Sequence, residues 1–182
     1  MEILVIGHGS RLGQELIRQA FDESISCRTY EDVITCDRDE LKEAIRHADV
    51  IISFRGGTLD SLAQNISLIS LIEDPSQKFL LVTSFGCGDS WPYISDMAKN
   101  VFGEKVKYKT LSEAWLQLSY VNWNIIRPVG LSDKHIEGKA VVTRDKTLPS
   151  GYVSRQCFVK IILDIIRFDW NQGDIVYVYT ER

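Results

Sequence analysis

The sequence predicts an α/β fold, a largely parallel sheet with helices on both faces, and three observations predict it. Strand-like apolar runs alternate with segments of helical periodicity along the whole chain. Val50-Ile-Ile-Ser-Phe54 and Lys78-Phe-Leu-Leu-Val-Thr83 are almost continuously apolar, the pattern of strands buried on both faces of a parallel sheet. No repeat and no Pro/Gly/Ser-rich linker divides the 182 residues, so the chain, 1–182, reads as a single domain.

Composition bounds what such a domain does. A chain of this length buries roughly 70% of its extended surface, so it needs no disulfide or metal staple. Apolar residues make up 45% and charged residues 25%, ordinary values for a globular domain. The net charge of −4 argues against nucleic acid as the main partner. No apolar run reaches the ~18 residues of a membrane span, and residues 1–6 form a strand signal instead of a secretory leader. Cys27, Cys36, Cys87 and Cys157 are scattered and form no Cys-x-x-Cys pair, so they read as reduced thiols of a cytoplasmic protein, monomeric or homodimeric. His8, His47 and His135 show no metal-ligand spacing, and no metal is expected.

Each element has its own signal. Glu2–Ile6 is a strand that runs through a glycine turn into a helix over Gln14–Phe21. Ser24–Tyr30 reads as a short alternating strand and Val33–Cys36 as another apolar one. Asp37 with Glu40 is a helix-start signature, and Leu41, Ala44, Ile45 and Ala48 recur at helical spacing. After the strand at Val50–Phe54, Leu59–Ile72 is helical and stops at Asp74-Pro75. Lys78–Thr83 leads into a loop, Ser84–Pro92. Thr110 with Glu113 is a second start signature, opening a helix through Leu116 and Leu118. Val121–Ile126 is a strand closed by Arg127-Pro128. Residues 129–151 read as loops around one short strand, Lys139–Thr143. Ser154 caps a helix over Phe158–Phe168, and Asp174–Tyr179 is the last strand. This alternation is Rossmann-like, a doubly wound sheet.

In such sheets ligands sit at the carboxyl ends of the strands. The first of these ends is Gly7-His-Gly-Ser-Arg-Leu-Gly13. A strand that breaks there and feeds a helix leaves backbone N–H groups pointing outward, an anion site suited to the pyrophosphate of a dinucleotide. Gly7 allows the tight turn, Gly9 lets the backbone approach a phosphate, and Gly13 lets helix and strand pack closely. His8, Ser10, Arg11 and Leu12 complete the turn. At the end of the second strand, an acidic residue takes the ribose hydroxyls and an arginine fits a 2′-phosphate. Arg11 and Arg28 therefore favour NADP(H) over NAD(H), because a guanidinium forms charge-assisted bonds to phosphate. Arg28 also reads as a solvated charge, and Glu31 becomes the ribose acid if that strand ends later. Asp37 reads as a helix cap that also reaches an adenine amino group, with Arg38 beside it. Phe54, Arg55 and Gly56 follow the strand at Val50, where glycine permits close approach to a cofactor.

Thr83 and Ser84 follow a buried strand and precede glycines. A hydroxyl there hydrogen-bonds a substrate carbonyl or the nicotinamide but is no base by itself. Cys87 reads as an unreactive thiol. Trp91 is the tryptophan placed to cover a flat substrate. No Gly-x-Ser-x-Gly elbow is present, which excludes that hydrolase class.

With these residues laid out, the chain resembles the atypical short-chain dehydrogenase/reductase superfamily, in its NmrA-like and biliverdin reductase B (flavin reductase) branch. Gly7–Gly13 is similar to that branch's Gly-Ala-Thr-Gly-Arg-x-Gly turn. Cys36-Asp-Arg-Asp39 resembles its adenine-end segment, and Leu81-Val-Thr-Ser-Phe-Gly86 its strand ending in Thr-Ser. Lys109-x-x-x-Glu113, Ser119–Pro128 with its Ile-Ile-Arg-Pro, and Val153-Ser-Arg complete the match. The resemblance implies that Lys109 and Pro128 also meet the cofactor, and that Ser84 and Lys109 are the catalytic candidates. The departures are Ser10 in place of a glycine, Lys105 where the Tyr-x-x-x-Lys tyrosine would stand, and Gly130 where biliverdin reductase B-like enzymes have a histidine.

The reading that follows is an NADPH-dependent reductase passing hydride to a flat conjugated small-molecule acceptor, a flavin, tetrapyrrole or quinone. Residues 85–108 and 129–153 would form a small substrate region. A non-catalytic NAD(P)-binding sensor is the alternative, raised by the missing tyrosine and histidine. A nucleotide-sugar epimerase or dehydratase is disfavoured by the short C-terminal region.

Overall fold

The computed structural model describes residues 1–181. Its elements run β1 (Glu2–Ile6), α1 (Arg11–Asp22), β2 (Ser26–Tyr30), α2 (Arg38–His47), β3 (Val50–Ser53), α3 (Leu59–Ser70) and β4 (Lys78–Val82). A 3₁₀ turn (Gly88–Tyr93) and α4 (Asp96–Gln117) follow, then β5 (Asn122–Pro128), β6 (Gly130–Ser132), β7 (Lys139–Thr143), β8 (Tyr152–Ser154), α5 (Arg155–Phe168) and β9 (Asp174–Glu181).

The seven-stranded sheet has the order β2-β1-β3-β4-β5-β9-β7. All pairs are parallel except β7 on β9, and β6 pairs with β8 as a separate ribbon. Period-two alternation divides the interior into two cores. Ile3 and Val5 join Leu16, Phe158, Ile162 and Ile166 beneath α1 and α5. Leu4 and Ile6 join Leu41, Ile45, Leu68 and Leu116 beneath α2, α3 and α4. The central strands β1, β3 and β4 are buried on both faces because each face is covered, whereas the edge strand β2 carries Ser26, Arg28 and Thr29 exposed. The expected doubly wound, single-domain architecture is the observed one. No described helix is long and apolar enough to cross a membrane.

The chain winds outward from β1 to β2, then returns to β3 on its other side. That reversal opens a crevice at the carboxyl ends of β1 and β3, the place such sheets offer a ligand.

Two expectations are corrected. Val33–Cys36 is not a strand. The Asp32 carboxylate accepts N–H bonds from Ile34 at 2.8 Å and Thr35 at 3.0 Å, folding the run into a turn, and Val33 plugs the α2 core. Thr110 with Glu113 does not start a helix either; α4 begins at Asp96, where the Ser95 hydroxyl accepts from Ala98 N–H at 3.2 Å. Thr110 and Glu113 instead make tertiary bonds, to Gly88 N–H and to Arg127. The Asp37 and Ser154 caps are present as expected, the latter starting α5 at Arg155.

Candidate active site

Gly7 sits at φ +78°, the left-handed region that lets β1 turn at once. A Cβ at Gly13 would lie 2.7 Å from His8 Cα, so only glycine lets α1 pack on the turn so closely. Ser10, in contrast, is extended (φ −70°, ψ 154°), and its hydroxyl accepts from Gly13 N–H at 3.1 Å. Its place needs no glycine; the serine is the cap of α1. Arg11 is exposed, and its guanidinium bonds Asp133 at 2.6 Å, a carboxylate that Arg155 shares at 2.5 Å. Leu12 packs into the α1/α5 core.

At the next strand end the residue that arrives is Glu31. Its Oε2 accepts from Gly9 N–H at 2.7 Å, and its Oε1 lies 3.0 Å from the Arg55 guanidinium, which also bonds the Glu31 carbonyl. His8 Nδ1 is 3.4 Å from Glu31 Oε2, outside hydrogen-bond geometry. Arg28 does not reach this corner, which corrects its expected role. It pairs in register with Leu4, inside β2, and its Nε points to Glu2 Oε1 at 3.6 Å, at the amino end of β1. Asp37 spends one carboxylate oxygen on Asp39 and Glu40 N–H, both at 2.9 Å, and Arg38 is an exposed first residue of α2.

The Phe54–Gly57 turn lies against α4. A Cβ on Gly56 would come within 3.1 Å of the Lys109 stem. Asn65 donates to the Arg55 carbonyl at 3.1 Å and accepts from Ser53 Oγ at 2.7 Å, fixing the turn from below. The Lys109 ammonium donates to the Thr83 carbonyl at 3.2 Å. Burial pushes that ammonium below the usual lysine range, and the nearby charge of Lys105 pushes the same way.

Thr83 turns inward, donating to Glu113 at 2.6 Å. Glu113 forms a two-pronged pair with the buried Arg127, at 2.9 and 2.7 Å. Arg127 also donates to Asp89 and to the Tyr177 hydroxyl, each at 2.7 Å, and Lys146 reaches Asp89 at 2.9 Å. Burial works against the Asp89 carboxylate, but the bonds from Arg127 and Lys146 outweigh it and take its pKa down to about 2. The Ser84 hydroxyl is half-buried, 3.6 Å from the Cys87 sulfur. Burial pushes the Cys87 thiol up, as befits an unreactive thiol.

Ser84, Lys109 and Pro128 border a cavity of about 790 Å³. Phe85, Ile94, Met97, Val101 and Phe102 make its walls apolar, and Tyr93, Lys105, Gly130 and Tyr152 complete them. The cavity exists because α4 is too long for the sheet. Its 22 residues span ~33 Å, against ~23 Å for the seven residues of β5. The surplus overhangs the carboxyl edge and forms one wall. Trp91 is not in the lining; it packs near Gly103 with the Lys99 ammonium 5.9 Å over its ring, which corrects its expected role. A Cβ at Gly130 would fall 2.6 Å from the Tyr152 ring, so that ring lies over the place of the missing histidine. Lys105 had only its spacing to mark it, at the tyrosine position, and Tyr152 and Asp133 had no sequence signal at all.

This fold is found elsewhere. The model of a family described as NAD(P)H-binding matches residues 11–168. The chain belongs to that family. Solved structures share the fold over nearly the whole chain. ChuY from Escherichia coli O157:H7, an anaerobilin reductase, is 29% identical with a TM-score of 0.84, covering 99% of this chain and 97% of that one. ChuY from E. coli CFT073 is also 29% identical, with a TM-score of 0.79 over 98% and 96% of the two chains. A short-chain dehydrogenase/reductase from Veillonella parvula, in complex with NADP, shares the fold at 15% identity and TM-score 0.73, covering 98% and 94%. No curated protein matches the chain in sequence. The resemblance to the atypical short-chain dehydrogenase/reductase branch agrees with these matches.

The residues of the crevice fit a nicotinamide dinucleotide. Arg55 Nε and His8 Nδ1 are buried with no hydrogen-bond partner, two polar atoms at the corner where the cofactor's adenosine would lie.

Proposed function

We propose that the protein is an NAD(P)H-dependent reductase whose acceptor is a flat conjugated molecule of flavin, tetrapyrrole or quinone type. The observation that carries the reading is the large, mostly apolar cavity beside Ser84 and Lys109, in which Lys105 stands where the tyrosine of a Tyr-x-x-x-Lys pair would be. A bound reduced nicotinamide supplies the hydride. The chain's own part is positioning. The glycine turn and the start of α1 hold the pyrophosphate, Ser84 orients the carboxamide or the acceptor, and Lys109 places positive charge beside the nicotinamide ribose. Residues 85–108 and 129–153 form the acceptor region. Addition to a conjugated system forms no alkoxide, so solvent reaching the open cavity serves as proton source. The reductase relative ChuY acts on a tetrapyrrole-type molecule, which supports this acceptor class.

The dinucleotide form has two supported readings. NADP(H) keeps Arg11 at the start of α1, with Arg55 and His8 at the corner. NAD(H) is favoured by Glu31, whose carboxylate stands where ribose hydroxyls are taken. A sensor without turnover is favoured by Lys105 at the tyrosine position.

Dinucleotide oxidation with FMN, biliverdin and menadione tests these readings, alongside thermal shifts with each cofactor. Oxidation with at least one acceptor, reduced several-fold in Ser84→Ala, is expected. Stabilisation near 2.7 kcal/mol at a hundred times Kd, with no oxidation of any acceptor, would establish the sensor instead; the estimate of about 2.7 is mass action.

A further inference from the structure

The cavity carries a charge pattern that narrows what fills it. Its lining contains two lysines, Lys105 and Lys109, and no carboxylate among the described residues. Lys109 is committed, with its ammonium on the Thr83 carbonyl. Lys105 lies one helical turn earlier on the same face of α4. It is exposed and forms no ion pair among the described residues, whereas Lys99 on the same helix pairs with Asp96 at 3.2 Å. Its stem rests on the Gly57 backbone, where a Cβ would meet it at 3.3 Å, so its base is anchored while its charge stays unmatched. Around it the wall is Met97, Val101 and Phe102. Apolar walls displace water and strengthen the pull of a cation on an anion seated among them.

We propose that the acceptor is a planar conjugated molecule bearing a carboxylate, and that Lys105 holds this carboxylate while the conjugated plane lies on the apolar wall. The proposal rests on the cavity being the acceptor site. Lys105 is then a residue of specificity and touches no reacting atom. A neutral quinone uses none of this charge. A flavin phosphate shares the anionic chemistry, and the test separates it from a carboxylate.

Four probes are titrated by absorbance into the intact protein and into Lys105→Gln and Lys105→Arg: biliverdin, its dimethyl ester, FMN and lumiflavin. The expected result is that the dicarboxylate binds about tenfold more tightly than its ester, the size of one charge-assisted contact. Lys105→Gln brings the acid down to the ester's affinity, and Lys105→Arg retains the difference. Because Lys105 is exposed, both variants are expected to melt as the parent does, which a thermal scan checks. Equal binding of acid and ester, an acid preference that survives Lys105→Gln, or failure of all four probes to bind overturns the proposal. A Lys105-dependent preference for FMN over lumiflavin, without one for acid over ester, overturns it in favour of phosphate. Dinucleotide oxidation is followed in parallel. Acid preference without oxidation defeats the reductase reading alone; oxidation with acid and ester equally well bound defeats the carboxylate alone.

Discussion

Glu31 decides most at the scale of single residues. Its carboxylate takes the Gly9 N–H and faces Arg55, so it occupies the corner that a 2′-phosphate would need. Replacing it removes like-charge repulsion toward NADPH and a hydroxyl acceptor for NADH. Glu31→Ala is therefore expected to move the ratio of NADPH to NADH affinity about tenfold toward NADPH, an estimate of one charge-assisted hydrogen bond. Calorimetric titration with both forms checks it, and an unchanged ratio would remove Glu31 from the ribose site. The sequence named both Glu31 and Arg28 for this corner, and in the structure Glu31 is the one that reaches it. What separates them is pairing. Arg28 is set beside Leu4, and its partner Glu2 lies far away in the chain, a contact that only the sheet register reveals. Ser84, Lys109 and Pro128 were legible because each follows a buried strand or shares a motif with one; Tyr152 was not, because it reaches the site from across the β6–β8 ribbon.

At the scale of elements, local signals worked where the backbone alone uses the residue. Asp37 and Ser154 cap helices as expected, each directly before helical periodicity, whereas Ser10 caps α1 although the sequence marked it only as a replaced glycine. Ser10→Ala removes the hydroxyl that satisfies Gly13 N–H and is expected to cost about 1 kcal/mol, with Ser10→Gly costing only a few tenths. Urea unfolding of the two variants measures this. If Ala and Gly prove equal, the hydroxyl is not the cap. The same kind of signal failed at Thr110 and Glu113, because those side chains serve the interior and leave their own backbone to a helix already running. It failed again at Val33–Cys36, where one aspartate carboxylate outbids strand pairing. The first turns of α4 were missed although Met97, Val101 and Phe102 recur at helical spacing; the stripe they form faces the cavity instead of a core.

At the scale of the molecule, the cavity walls are tied to the sheet by one polar chain, from Thr83 through Glu113 and Arg127 to Asp89 and Lys146. Asp89 is its acid-sensitive member. Its folded pKa, about 2, lies below the ordinary 3.8. Its contribution is thus present in full above the ordinary value and is lost as pH falls from there toward 2. Stability of the parent should drop more steeply across that window than stability of Asp89→Asn, as melting curves at stepped pH would record. Parallel slopes would show that the Asp89 links contribute nothing. Partial exposure of Asp89 screens the effect and keeps it modest. The alternation of strands and helices made this architecture legible at the outset, since both faces of a parallel sheet must be apolar. The overhang of α4 and the polar chain that braces it depend on lengths and partners that no local pattern encodes.

In the proposed reaction, hydride passes from a dinucleotide held at the glycine turn to a conjugated acceptor in the cavity beside Ser84. Transfer is read most directly with NADPH and NADH deuterated at both C4 positions of the nicotinamide, using biliverdin as acceptor in the absence of oxygen. Mass spectrometry of the product is expected to find one deuterium on carbon, and less product from Ser84→Ala. Reduced product without the label, or bound dinucleotide that stays unoxidised, would contradict the account.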